Sequence, residues 1–369
     1  MKKNILSVIV LGFLLAGCMA RPAETQYTSV STQETLVHLT EATGAAESAE
    51  ETTQAGEPQT EGERFLLSFT GDSTLGCGLN YIGTEFSFQS LAGEDYSYPY
   101  KNVVSYFKND DMTFANLEGP LTDEGYPAQK KHAFRGPESY VNMLTENSVD
   151  LVSLANNHSL DYGKIGYETT MQVLDQAKVP FVERDKAKIV TLDRGLTVGV
   201  YGVVYYRIDE KELKAAIDTL KRQTDLVIVA AHWGAEGSYY PTREQVSLAH
   251  AAIDAGADIV WGHHPHVLQK MEKYNDGIIC YSLGNFSFGG YTHPDDLDTA
   301  LVQIEVVKDR SGHVEISNVN AIPCSISSVA DYNNYQPTPL QKDSEDYRRV
   351  VSKLNGTFDG PNLVINKQA

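Results

Sequence analysis

Five apolar segments of strand length recur along the chain and are separated by stretches with helical periodicity. The apolar segments are 65–70, 112–117, 150–155, 225–231 and 258–261. Apolar residues recur at helical spacing in 138–147, 163–177, 210–222 and 242–255. Strands that are apolar nearly throughout are typical of parallel sheets whose faces are both covered. The sequence therefore predicts an α/β fold with a buried, mainly parallel sheet.

A second set of strands is predicted to form antiparallel hairpins. Segments 188–192 and 196–201 flank the turn at 193–195, segments 270–274 and 277–282 flank 275–276, and segments 300–308 and 313–319 flank 310–312. Each turn contains the Gly, Asn, Asp or Ser residues that hairpin turns favour. We therefore expect mixed sheets covered by helices, followed by a short helix at 344–354.

Metal-binding side chains come directly after each of the five apolar segments. They are Asp72, Glu118, Asn157 with His158, His232, and His264 with His266. In α/β sheets, ligands bind beyond the carboxyl ends of the strands, so we expect these side chains at one rim. Taken singly, each is equally typical of a turn, a cap or a solvated loop. Together they indicate a metal site, because five separate strands end in the same class of ligand.

The chemistry of these side chains narrows the choice of metal. Carboxylate oxygen combined with imidazole nitrogen suits Zn, Mn or Fe. His264 and His266 are two residues apart, so on an extended segment both would point to the same side and occupy neighbouring coordination positions.

The N-terminus has the features of an export signal. Lys2 and Lys3 precede an apolar stretch, 5–16, that is too short to span a bilayer comfortably, and Ala16 and Gly17 precede Cys18. This order is similar to a bacterial lipobox, which implies a signal peptide at 1–17, cleavage before Cys18 and lipidation of its sulfur. The alternative is an uncleaved membrane anchor. Either way, we expect the rest of the chain on the extracytoplasmic face of the cell membrane.

Composition separates the next segment from the folded part and excludes several functions. Residues 18–64 are rich in Ser, Thr, Glu and Ala, which predicts a disordered tether.

The net charge of −19 argues against non-specific binding to nucleic acid. Cys77, Cys280 and Cys324 have no metal-binding spacing, so we expect buried thiols. Walker A, GxGxxG and GxSxG motifs are absent from the sequence, which argues against ATP-driven ligation by this chain alone.

The ordered motifs GD, NLE, NNH, HWG, GHHPH and YSLGNF resemble those of the CapA/PgsA-type poly-γ-glutamate capsule synthesis proteins, within the calcineurin-like metallophosphoesterases. The resemblance covers residues 65–328. It implies a four-layer αββα sandwich of two mixed β-sheets with a metal site at the strand ends. Residues 329–369 are then a polar C-terminal extension packing on this domain.

The resemblance also implies a role for each motif residue. The metal ligands are Asp72, Glu118, Asn157, His232, His264 and His266, and His158 is the catalytic residue that protonates a leaving group. Two departures from the wider pattern stand out. The usual Asp-x-His is Asp72-Ser73-Thr74 here, and an extra histidine in GHHPH allows His263 to replace His264. The expected cofactor is therefore one or two divalent transition metal ions.

Two further residues are candidates for substrate binding. Arg135, in an FR element that belongs to the resemblance, could grip a carboxylate or phosphate in a bidentate manner. Asn285 follows a strand and could face the site, although Gly284-Asn285 is also ordinary turn chemistry. For Lys130 and Lys131, upstream of Arg135, we expect a solvated loop.

Three functions remain open on the sequence alone. The first is a surface lipoprotein that works with membrane proteins of a polyglutamate synthesis or export system. The second is a metal-dependent hydrolase of phosphoesters or of an envelope polymer. The third is a non-enzymatic binding module on the same fold. The expected ligand is an anionic polymer or a phosphoester.

Overall fold

The computed structural model describes residues 62–204 and 208–364. The strands are β1 (Gly62–Ser73), β2 (Cys77–Gly78), β3 (Met112–Leu117), β4 (Phe134–Arg135), β5 (Leu151–Ser153), β6 (Phe181–Val182), β7 (Ala187–Thr191), β8 (Thr197–Val204), β9 (Leu226–His232), β10 (Ile259–His263), β11 (Met271–Tyr274), β12 (Gly277–Cys280), β13 (Asp298–Asp309), β14 (Val314–Ser325) and β15 (Thr338–Pro339).

The helices are α1 (Phe88–Ala92), α2 (Val104–Phe107), α3 (Asn142–Thr145), α4 (Gly163–Ala177), α5 (Glu210–Lys221), α6 (Arg243–Asp254) and α7 (Glu345–Leu354), with 3₁₀ turns at Leu79–Tyr81, Tyr98–Tyr100 and Glu138–Val141. Polar side chains cap α5 and α6. Asp209 accepts from the backbone of Lys211 at the start of α5, and Thr242 forms a capping box with Gln245 at the start of α6. None of the helices within the described ranges is both long enough and apolar enough to cross a membrane.

The strands form two large mixed sheets. The first has the order β15-β14-β13-β1-β3-β5-β6, and the second has the order β11-β12-β10-β9-β8-β7. In the first sheet, β1, β3, β5 and β6 are parallel to one another. Strand β13 pairs antiparallel with β1 on one side and with β14 on the other. In the second sheet, β8, β9, β10 and β12 are parallel, and β7 and β11 close the edges as hairpins. The predicted hairpins are confirmed.

The two sheets pack face to face, and helices cover their outer faces. Phe69, Phe114 and Trp261 fill the centre between the sheets, with the two phenyl rings stacked at 4.8 Å. Helices α3 and α4 pack on the outer face of the first sheet, and α5 and α6 pack on the outer face of the second. The four-layer αββα sandwich that the resemblance implied is therefore confirmed.

The first strand and the elements after residue 328 can be compared with the predicted domain boundaries. The first strand begins at Gly62, three residues before the predicted start at Phe65. Beyond residue 328, β15 extends the first sheet, and α7 packs beside β13 and β14. The predicted signal peptide, Cys18 and nearly all of the tether lie outside the described residues.

Candidate metal centre

The candidate site lies where the carboxyl ends of parallel strands from both sheets meet. The strand register places Asp72 beside Asn116 in the first sheet and His232 beside His263 in the second. An isolated bridge pairs Asp72 with Asn285, which follows β12, and so joins the two sheets at this rim. All the strand ends named in the sequence analysis therefore contribute to one neighbourhood.

Three overlapping triads of potential metal ligands occur at this rim. They are Asp72/Glu118/His266, Glu118/His232/His264 and Glu236/His264/His266, and within each triad the ligand atoms lie within 4.8 Å of one another. Glu118 is common to the first two triads. Asn157 joins the second through its Oδ1, which lies 2.9 Å from His232 Nε2. The arrangement provides two adjacent positions that share one carboxylate.

Glu118 is fully buried, and neither carboxylate oxygen has a hydrogen-bond partner among the described residues. Its Oε1 lies 3.5 Å from His232 Nε2, 3.8 Å from His266 Nε2 and 3.9 Å from His158 Nε2. Burial, followed by the charge of Asp72, raises the pKa of Glu118 well above its usual value. A buried carboxylate without partners, surrounded by imidazole nitrogens, fits a divalent cation.

Asp72 is held by two histidines and an amide. Its Oδ1 lies 2.9 Å from Asn116 Nδ2 and from His263 Nδ1, and its Oδ2 lies 3.2 Å from His266 Nδ1. Burial alone would raise the pKa of Asp72, but hydrogen bonds and charge from His263 and His266 hold it well below its usual value. Asp72 is therefore charged and oriented.

The structure separates the roles of the two adjacent histidines. His263 is the last residue of β10 and is fully buried. Its ring packs edge-on against Trp261, with ring centroids 4.4 Å apart, and it belongs to none of the triads. His264 belongs to two triads, whereas His263 has its Nδ1 2.9 Å from Asp72 Oδ1. His264 is therefore the residue of this pair that faces the cluster, and His263 supports Asp72.

The backbone of the second histidine pair differs from the expectation. The extended conformation predicted for His264 and His266 is wrong, because both have positive φ, +94° and +57° respectively. After β10, the segment turns toward the loop between β9 and α6, in which the Gly237 N–H donates to the Pro265 carbonyl at 2.8 Å. Both imidazoles reach the cluster because of this turn. His266 Nδ1 also lies 3.0 Å from Asn285 Oδ1.

His158 approaches the same Glu118 oxygen as His232 and His266, and a carboxylate orients its ring. Its Nδ1 lies 2.7 Å from Asp161 Oδ2, which, as a carboxylate oxygen, accepts the Nδ1 hydrogen and leaves Nε2 facing Glu118. Burial lowers the pKa of His158, although Asp161 opposes this effect. Phe134 covers one side of the ring, with ring centroids 4.4 Å apart.

Lys130 lies in an exposed loop, as expected, but its amine pairs with residues beside the cluster. It forms an ion pair with Asp161, and its Nζ lies 3.2 Å from both the Asn157 carbonyl and His158 Nδ1. Asp161 is fully buried and also accepts the Phe134 N–H at 2.7 Å. The sequence did not predict this pairing, because a lysine in a polar loop has no local signal for a partner 31 positions away. Lys131 is exposed.

The two predicted substrate-binding residues lie in different surroundings. Asn285 is buried and contacts His266, so it lies within the cluster. The Arg135 guanidinium lies 4.8 Å from the centre of the Tyr162 ring and forms no hydrogen bond or ion pair with the cluster among the described residues. Thr74, where the wider pattern has a histidine, donates to the Gly76 carbonyl and accepts from Gly289 N–H. It is therefore engaged away from the cluster.

Sequence comparison identifies the family. Residues 66–290 match the family described as "Bacterial capsule synthesis protein PGA_cap". The chain belongs to the PGA_cap family. This PGA_cap chain is 32% identical to the "Capsule biosynthesis protein CapA" of Bacillus anthracis, over 74% of this chain and 72% of that relative. It is 30% identical to the "PGA biosynthesis protein CapA" of Bacillus subtilis, over 78% of this chain and 77% of the relative.

Two solved structures illustrate the structural comparison for this PGA_cap chain. A putative 5'-nucleotidase from Staphylococcus aureus aligns with a TM-score of 0.43 at 13% identity, over 79% of this chain and 58% of that one. A purple acid phosphatase from yellow lupin aligns with a TM-score of 0.34 at 11% identity, over 71% of this chain and 54% of that one. This PGA_cap chain thus spans little more than half the length of either solved chain.

Proposed function

We propose that the chain works in poly-γ-glutamate capsule synthesis or export as a lipid-anchored protein on the extracytoplasmic face of the membrane, and that it uses a hydrolytic metal centre. The family and the names of the Bacillus relatives support the capsule role. The observation that carries the proposed chemistry is the convergence of two ligand triads on one buried carboxylate, Glu118.

One or two divalent ions, Mn, Zn or Fe, fit the donor set. Asp72, Glu118 and His266 would hold one ion, while Glu118, Asn157, His232 and His264 would hold the other. Such an ion polarises a phosphoryl or acyl oxygen and lowers the pKa of a bound water.

His158 is the proposed proton-transfer residue. The Asp161 carboxylate fixes the ring through Nδ1, so Nε2 is the atom available to the reaction, 3.9 Å from Glu118. The lowered pKa of His158 means that an imidazolium formed there gives up its proton readily to a leaving group. Lys130 and Phe134 restrict the ring from two further sides.

The proposed ligand is an anionic polymer or a phosphoester. The chain is acidic overall, so attraction to an anion has to be local. The segment that brings Phe134 into contact with His158 also contains Lys130, Lys131 and Arg135. We propose that Arg135 binds an anionic group of the ligand and that Asn285 acts within the site through His266.

Complementation of a deletion strain tests the capsule role and the metal centre together. We expect deletion to abolish surface polyglutamate, the wild-type gene to restore it, and Glu118→Gln or His158→Ala to fail. Glu244→Gln, an exposed substitution of the same type on α6, is the matched control. Unchanged surface polymer after deletion would refute the capsule role, and full rescue by Glu118→Gln would refute the need for the metal centre.

A direct assay tests the hydrolytic chemistry. The full chain is incubated with Mn²⁺, Zn²⁺ or Fe²⁺ and with phosphomonoesters, phosphodiesters and purified polyglutamate. We expect metal-stimulated turnover that His158→Ala abolishes. Turnover that is absent with every metal, or unchanged in His158→Ala, would count against the proposal.

Anchoring through Cys18 and association with membrane proteins of the polyglutamate system are further parts of the proposal. We expect Cys18→Ala to move the protein from the detergent phase to the aqueous phase on phase partitioning. The matched control is Cys77→Ala, which removes a buried thiol inside the folded part. Retention of Cys18→Ala in the detergent phase would favour an uncleaved anchor.

One observation favours a second candidate, a non-enzymatic binding module. The position that carries a histidine in the wider pattern is Thr74, whose hydroxyl group is committed to Gly76 and Gly289. A centre with one ligand fewer could bind a metal and an anion without turnover. Tight metal binding by the wild-type chain with no hydrolysis of any tested ester would support this candidate.

A further inference from the structure

Glu236 lies beside the cluster, although no signal in the sequence analysis selected it. It belongs to the triad with His264 and His266, in which the ligand atoms are within 4.8 Å of one another. One of these histidines belongs to the first metal position and the other to the second. Glu236 therefore lies close to one histidine of each position.

The loop that carries Glu236 is fixed at both ends, even though the side chain is exposed. On one side, buried Trp233 donates Nε1–H to the Tyr281 carbonyl at 2.9 Å, and its backbone N–H donates to the His263 carbonyl at 3.0 Å. On the other side, Gly237 N–H donates to the Pro265 carbonyl at 2.8 Å. The backbone of Glu236 is thus tied to the segment that carries His264 and His266.

Glycine is required at both bends of this loop. Gly234 has φ +86°, and a Cβ there would lie 2.6 Å from the Gln245 side chain. Gly237 has φ +72°. These bends turn the chain back over the cluster and leave Glu236 at its solvent side.

The spacing in this triad is wider than direct contact and slightly wider than the ligand shell of one cation. Glu236 has no hydrogen bond or ion pair with any residue in the described ranges, and His264 Nδ1 is buried without a partner there. Ligands at about 2.0–2.2 Å from a metal lie up to roughly 4 Å from each other. The Glu236 carboxylate therefore has to move closer to both imidazoles to share a cation with them, and its exposed side chain has room to do so.

We propose that Glu236 is a metal ligand that reaches both metal positions from the solvent side and compensates for the ligand missing at Thr74. The inference rests on the proposed metal centre and adds a residue to it. Three carboxylates, Asp72, Glu118 and Glu236, would then balance most of the charge of two divalent ions, whereas the inner pair alone would leave a larger excess of positive charge.

Titration of the chelator-treated full chain with Co²⁺ tests this inference. Calorimetry gives the number and affinity of the sites, and the visible absorption of bound Co²⁺ reports its coordination. We expect Glu236→Gln to weaken at least one site by tenfold or more, on the order of the loss produced when even a supporting partner of a ligand is removed, and to alter the spectrum. The matched control, Glu244→Gln, should behave as the wild type.

The outcomes separate this inference from the proposed metal centre. If Glu236→Gln and Glu244→Gln both match the wild type while Glu118→Gln loses Co²⁺ binding, the centre stands and the role of Glu236 is refuted. If the wild-type chain binds no Co²⁺, both are refuted. Weakened affinity and an altered spectrum in Glu236→Gln alone support the inference. Because Glu236 is exposed, we expect this variant to fold normally.

Discussion

Substitution of Glu118 by glutamine separates the stability of the metal-free protein from the stability that metal adds. In the metal-free protein, Glu118 is a fully buried carboxyl group whose oxygens have no hydrogen-bond partner among the described residues. Its pKa is raised by burial and by Asp72. A carboxyl whose folded pKa lies above its unfolded pKa makes the protein less stable as the pH rises between the two values. Glutamine does not ionise, so the variant avoids this loss.

The expected magnitudes follow from burial and from mass action. Glutamine keeps a buried polar group in the same place, and with it a cost of about 1–3 kcal/mol. It removes only the cost of ionising the carboxyl group, so the metal-free Glu118→Gln protein should be at least as stable as the metal-free wild type at neutral pH. Metal at 100 times its Kd adds about 2.7 kcal/mol to the wild type. For a folded region of about 300 residues, that increment corresponds to an increase of roughly 4 °C in Tm. The variant lacks the carboxylate common to two triads, so its increment should be close to zero.

Thermal unfolding with chelator and with added Mn²⁺ measures both effects. The wild type should show the full metal-dependent increase in Tm, and Glu244→Gln should reproduce it. Asp72→Asn, which alters only one of the two triads that share Glu118, should retain part of the increase. A Glu118→Gln protein that keeps the full metal-dependent increase would refute the argument that Glu118 holds both positions.

Three further predictions follow from the same contacts. Although burial alone would lower it, the charges of Glu118 and Asp72 raise the pKa of His266 to about 10. Because a bound metal has to displace this proton, the apparent metal affinity measured by calorimetry should rise up to about tenfold per pH unit below that pKa. An affinity that does not change with pH would contradict this. Asp161→Asn should lower kcat far more than KM, because His158 loses its orienting carboxylate, and an equal change in both would contradict the orienting role. Lys353→Met should lower the free energy of unfolding, measured by urea denaturation, by about 3–5 kcal/mol. The reason is that buried Lys353 pairs with Asp296 at 2.8 Å and Asp298 at 2.7 Å. A loss below about 1 kcal/mol would contradict the importance of that pairing.

The sequence predicted the central strands well because their signal is local. Segment 112–117 coincides with β3 and segment 163–177 with α4, since burial on both faces and helical periodicity leave strong patterns. The sequence did not predict β2, β4 or β6, which have two residues each. A two-residue strand has no period, and only its partner determines it. The pairing of Cys77 with Arg135 joins segments 58 positions apart.

The predicted metal ligands occur in the cluster because each lies at the carboxyl end of a strand or in the loop that follows it. Parallel strands bring their carboxyl ends to one edge, so Asp72, Glu118 and His232 meet as a consequence of topology. Asp161 was missed, although it lies three residues after His158, because a spacing of three does not by itself distinguish a hydrogen-bond partner from a surface carboxylate. The partners of Lys130 were missed for the same reason, since they depend on how the loop folds back.

The adjacent histidines show where a linear motif cannot determine a ligand. The GHHPH sequence offers three imidazoles, and the count alone leaves His263 and His264 equivalent. The strand decides between them, because β10 continues through His263 and directs that ring inward against Trp261 and Asp72. His264 follows with positive φ and turns toward His232, with ring centroids 4.7 Å apart. A ligand set of this kind is therefore determined by the residue at which the strand ends, a boundary that hydrophobic pattern locates only to within a few residues.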